Sequence, residues 1–301
     1  MKIPGNSFRA GPLELDNFRS KAGRNLERRK RDRMIDTLSP FFRGVAFVLL
    51  VLAVHPTFIQ AQSPPSPPTA IRLGDPSVDG SLLKPYKNAW KVVYAFPGKE
   101  PFLVGTWTDE LTAVEINGRH LLKRTQMADY AKYNIVTTSV NVFEPGTMAP
   151  VSMDFKRSDT GEWAHRDFEG ALVKYRRGPS GDDTKNEAGQ LEMKEPVFDY
   201  NGGMYGVLLA ALPLKEGFKA MFPTLSEDRD ELDWITVTVG KQELVDAGPG
   251  KQVMAWPIDT EGNYANKSHS IFWVTKEAPY VIKLVTTIPT GKWVTVTISM
   301  I

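Results

Sequence analysis

The 301-residue chain contains no cysteine. That excludes a disulfide framework, a thiolate metal site, a cysteine nucleophile and a lipid-modified cysteine behind an export leader. Compact catalytic signatures are also missing: there is no Gly-x-Ser-x-Gly elbow, no Walker phosphate loop and no His-Glu-x-x-His. Histidine is scarce, with four in all, of which His120, His165 and His269 lie beyond the first 61 residues. No apolar run reaches the ~20 residues of a membrane-spanning helix. The longest covers residues 44–54.

That run has the length of a signal-peptide core. Before it, residues 1–43 are polar and lack the periodicity of a buried helix face; after it come His55 and Pro56, then Ile59-Gln60-Ala61, a small-residue cleavage signal. The reading is a basic leader and signal peptide over 1–61, with processing near Ala61 and an exported, periplasmic or secreted product. Met34 is an alternative start that would give a leader of ordinary length. Arg28-Arg29 lacks the apolar stretch of a twin-arginine signal, whereas an uncleaved anchor, with the basic flank kept inside, is the main competitor.

Removing the leader changes the meaning of the charge. Up to Ala61 there are eleven Lys/Arg against five Asp/Glu, a net of +6, and the whole chain is +2, so the remainder carries −4. A mildly acidic domain excludes the basic working surface that nucleic acid requires. No cofactor is implied. The candidate partners are a lipid or other apolar ligand and a cell-envelope protein, with membrane contact only through an uncleaved signal segment.

Residues 62–70 form a Pro-rich linker, Ser63-Pro64-Pro65-Ser66-Pro67-Pro68-Thr69 at its centre, and 71–301 read as a single β-rich domain. Short Val/Ile/Thr/aromatic runs recur between turn signals. The run 90–96 stops at Pro97-Gly98; 112–116 meets Asn117-Gly118, the favoured hairpin turn, and returns as 119–125; 134–143, 148–156 and 162–168 continue the meander. The turn-rich stretch near 178–190 is expected to be a mobile loop, and 205–212, ending at Pro213, one short buried helix that plugs or covers the sheet. Further strands are expected at 234–239, 251–256, 270–275 and 280–287. In the last run Val294, Val296, Ile298 and Met300 alternate with hydroxyl residues and give a strand with one dry face. The fold class is mainly β, a curved antiparallel sheet or open barrel or half-barrel with one short helix.

Phe198-Asp199-Tyr200, the 208–214 segment with Pro213 and Gly217, Val237-Thr238-Val239-Gly240 with Glu243 and Gly250, Phe272-Trp273-Val274, Ala278-Pro279-Tyr280-Val281 and a closing hairpin around Gly291 follow in order. From about Pro196 onward this order resembles a family of exported bacterial β proteins known as domain of unknown function 3108. The resemblance implies a curved sheet or open barrel with a small helical element, similar in outline to periplasmic carriers that shelter lipoprotein acyl chains. It carries over no catalytic residue.

Among side chains that carry chemistry, His165, Asp167 and Glu169 recur at period two on one strand face, shared with Trp163. They are candidates for an acid–base pair or a metal, although pattern frequency favours a solvent-facing strip. Asp109-Glu110 reads as a turn or solvated edge, since neighbours on a strand point to opposite faces. Tryptophan is the stronger signal. Trp107, Trp163, Trp234, Trp256 and Trp273 are candidate ligand-lining residues, against the alternative that large rings fill the core. The leading expectation is an exported protein, non-enzymatic, that binds an apolar or amphipathic ligand or an envelope partner. The alternatives are a hydrolase or metal-dependent enzyme with a dispersed site, and an interaction module that joins a partner through a sheet edge.

Overall fold

Alternation of inward apolar and outward polar side chains organises the chain from Tyr86 onward. The computed structural model describes residues 67–179, 185–199, 204–226, 230–262, 269–289 and 293–301; the segment read as leader and signal peptide, and the first residues read as linker, lie outside these. After β1 (Thr69–Ala70), a meander of eight strands runs through β2 (Tyr86–Ala95), β3 (Phe102–Ile116), β4 (Arg119–Tyr130), β5 (Ile135–Phe143), β6 (Pro150–Arg157), β7 (Glu162–Glu169), β8 (Leu172–Pro179) and β9 (Glu187–Glu192). Asn117-Gly118 makes the β3–β4 turn with φ of 52° and 74°, the doubly positive pair that matches the twist of the strands. The stretch expected to be a loop is shorter than its composition implied, because β8 runs to Pro179 and β9 begins at Glu187.

Among the described residues a single α-helix of four residues, α1 (Val207–Ala210), precedes the second set of strands. These are β10 (Lys219–Ser226), β11 (Glu231–Val239), β12 (Glu243–Asp246), β13 (Gln252–Glu261), β14 (His269–Val274), β15 (Val281–Pro289) and β16 (Trp293–Met300). The last strand pairs antiparallel with β2, so the two meanders form one sheet in the order β1-β10-β11-β13-β14-β15-β16-β2-β3-β4-β5-β6-β7-β8-β9, with β12 attached to β13 alone. The sheet is antiparallel except for β1, parallel to β10, and it does not close.

Its two ends nevertheless meet. On β10 and β11, Ala220, Phe222, Ile235 and Val237 face the main core, which places Leu225 and its register partner Leu232 on the opposite, outer face. Those two leucines pack with Met153, Phe155, Ala164, Phe168 and Val173, which point inward from β6, β7 and β8. The sheet is therefore rolled, with its β6–β9 end lapping over the outside of its β10–β11 end. Val197 joins the second core while Phe198, bridged to Thr224, turns its ring onto Phe222 in the first. Arg177 of β8 reaches Asp230 beside β11 at 2.9 Å. Among the described residues no helix is long and apolar enough to cross a membrane.

Candidate functional site

On β3 the alternation that buries Leu111 also buries Asp109, although a carboxylate in that position must find a charge partner. It finds Arg124 on the adjacent strand β4, whose Nε donates at 2.9 Å and whose Nη2 donates at 2.5 Å, while the Tyr86 hydroxyl of β2 donates at 2.7 Å. The sequence expectation of a solvated edge is corrected here: Asp109 sits mid-strand on the inner face, and Glu110 takes the outer face beside Lys87. Burial, the largest single influence, would lower the Arg124 pKa, but the charge and hydrogen bond of Asp109 together with Tyr86 and Tyr205 outweigh it and hold the guanidinium charged. Burial also pushes the Tyr86 phenol well above its ordinary range.

The same arginine fastens the helical segment to the inner face. Its Nη1 donates to the Tyr205 carbonyl at 2.6 Å, and its guanidinium lies 5.8 Å from the centre of the Tyr205 ring. That ring meets Trp107 edge-on at 6.1 Å and Phe272 at 5.7 Å. Gly206 then turns the chain with φ +86°, where a Cβ would stand 2.4 Å from Val281 Cγ2. Beyond it Val207, Leu208, Leu209 and Ala210 are all buried. Most isolated helices this short are unstable in water, so α1 owes its existence to the surface that encloses it. It is held at its far end by Asp79 N–H on the Ala211 carbonyl and Lys276 Nζ on the Leu212 carbonyl. The segment 204–214 thus fills the inside of the roll, as the 205–212 run led one to expect.

The candidate tryptophans divide by face. Trp107 and Trp256 pack against the main core. Trp163, Trp234 and Trp273 stand on the outer face, Trp234 and Trp273 between buried inward neighbours and Trp163 beside buried Ala164; Arg72 lies over Trp234, and Trp273 donates to Glu243 beneath Lys283. Trp90, not singled out by the sequence, is the most deeply buried of the described indoles at 3% exposure. It is the register partner of Trp107.

His165 and Asp167 come together on the outer face of β7, where His165 Nε2 is 3.1 Å from Asp167, and Asp154 of β6 adds a contact to Nδ1 at 2.8 Å. Glu169 does not join them; it pairs with Lys174. A different trio escaped the sequence reading, because its members meet only through strand register. Asp259 and Glu261 of β13 and His269 of β14 bring three ligand atoms within 4.8 Å of one another, with Asp259 already 2.7 Å from His269 Nε2. Also passed over was Ser81-Leu82-Leu83-Lys84, which has Ser-x-x-Lys spacing; the Ser81 hydroxyl there is bound to Asp79 in an exposed turn. Arg124 was missed because one arginine between Lys123 and Thr125 looks like any surface residue until β3 sets Asp109 beside it.

In comparison with known proteins, the model of the family described as Protein of unknown function (DUF3108) matches residues 90–299. No curated protein and no solved structure matches the chain.

Proposed function

The chain belongs to the family Protein of unknown function (DUF3108), and from that premise we propose that it is an exported, non-enzymatic protein that binds an apolar or amphipathic ligand on the inner face of its rolled sheet. One observation carries the reading. The inside of the roll is occupied by a segment of the chain, residues 204–214, whose helix is buried on every side chain yet is a single turn long. Such an insert has little helical stability of its own, and the wall it covers is aromatic, with Trp107, Phe272 and Trp256. A ligand that buried the same wall would compete with it on equal terms. Ligand sites of this kind favour aromatic and aliphatic walls with a few placed polar groups.

Native mass spectrometry of the protein purified from its own host, with lipid extraction of the same sample, tests this. A co-purifying lipid at one per chain is the expected result. A chain that carries nothing and takes up no lipid from mixed vesicles would overturn it.

A further inference from the structure

Among the described residues, the inner face of β2 and β3 carries three N–H groups that meet no acceptor. Asn88 Nδ2, Trp90 Nε1 and Trp107 Nε1 are buried and have no hydrogen-bond partner among the described residues. They form one patch. Trp90 and Trp107 are directly opposed across the β2–β3 register, which sets their Cβ atoms about 5 Å apart on one face. Asn88 precedes Trp90 by two residues and therefore shares that face.

Buried donors are nearly always paired, and one left alone is destabilising because it has lost its water without gaining a partner. An indole can only donate, so Trp90 and Trp107 cannot satisfy each other and no tautomer change supplies an acceptor. Three adjacent unmet donors call for an oxygen acceptor from outside the chain. The charge around them decides which kind. Asn88 stands opposite Asp109, and the Asp109 charge is balanced by Arg124. A further carboxylate or phosphate would be a second buried anion beside this neutralised pair, with no cation left to offset its desolvation. An ammonium head would find donors where it needs acceptors.

We propose that Asn88, Trp90 and Trp107 form the polar subsite of the binding face, and that it receives the uncharged carbonyl oxygen of an acyl ester or amide while the acyl chain lies along the main core. The inference rests on the ligand-binding reading above and adds the chemical class of the ligand's head. Tyr205, which packs on Trp107, is the part of the insert that such a ligand displaces.

The test uses the full chain with its seven tryptophans labelled at the indole nitrogen, titrated in parallel with 1-oleoylglycerol and with oleate, and the variants Trp90→Phe and Trp107→Phe, which remove the N–H and keep an aromatic ring. The ester is expected to move the two indole resonances that vanish in those variants, and to bind at least about tenfold more tightly than oleate. Each variant is expected to lose about five- to tenfold in ester affinity, the scale of one hydrogen bond, with oleate affinity little changed. If ester and acid bind equally and the two resonances stay still, the subsite assignment is wrong while the ligand-binding reading stands. Indoles held by a bound water that neither lipid displaces would overturn the subsite in the same way. If wild-type protein binds neither lipid, both readings fall. Should either variant not fold, the wild-type resonances and the ester-to-acid ratio still decide.

Discussion

Arg124 and Asp109 face each other from adjacent strands as a charged pair wholly out of reach of solvent, and the same guanidinium holds the Tyr205 carbonyl. One residue thus joins the β3–β4 hairpin to the segment that fills the roll. The pair's worth lies in what its loss would expose, because a buried charge without a partner is far more costly than the pair is favourable.

Asp109→Ala, leaving Arg124 buried and uncompensated, is expected to lower stability by about 3–5 kcal/mol. The double variant Asp109→Leu/Arg124→Met, which removes both charges, is expected to recover most of that loss. Urea denaturation of the two variants beside wild type measures the difference. A double variant no more stable than Asp109→Ala would show that geometry, and not charge burial, sets the cost.

Alkaline pH should find the tyrosines. Burial pushes Tyr86 and Tyr94 well above the ordinary 10.0 and Tyr130 up to about 12. A phenol held more tightly protonated in the folded state contributes stability that is fully present below the unfolded value, near pH 10, and is lost as pH rises through the folded one. Thermal stability should therefore be flat from about pH 7 to 9 and fall above about pH 10. In a titration followed at the tyrosinate absorbance, fewer than the nine tyrosines should ionise before unfolding. Nine smooth titrations in a folded protein would contradict the burial.

The overlap of the sheet ends rests on apolar contact more than on charge. Leu225→Ala should cost about 2–4 kcal/mol, the range for a buried leucine in a packed cluster. Asp230→Asn, which cuts the half-shielded Arg177 contact, should cost less than about 1 kcal/mol, and that small effect should vanish at high salt. Equal losses in denaturant midpoints would require a different account of how the roll is held.

Two glycines separate backbone strain from crowding. At Gly118 a Cβ would meet open space and suffer only from φ +74°, so Gly118→Ala should cost about 1 kcal/mol. At Gly206 the positive φ is joined by Val281 Cγ2 at 2.4 Å, so Gly206→Ala should cost about 1–3 kcal/mol more and should loosen the insert, visible as faster amide exchange at Val207–Ala210. The reverse order of stabilities would contradict the tight entry into α1.

The amino-acid sequence determined most strand positions, the Asn117-Gly118 hairpin and the short buried helix, because each is written in local chemistry: period-two alternation, a turn that needs two positive φ values, and a run of helix formers stopped by proline. It could not place β9 or shorten the loop before it, since in Glu187–Glu192 only Leu191 is even partly buried, which leaves no alternation to read, and an edge strand needs only main-chain partners. Nor could it tell Trp107 from Trp234, or see that Asp109 has a counter-charge, because both depend on which face of the strand turns inward. Only the tertiary structure decided that, through the pairing of the first strand of one meander with the last of the other and the rolling of the joined sheet over itself. The first of these joins residues about two hundred positions apart and the second residues more than fifty apart, and no local pattern encodes either.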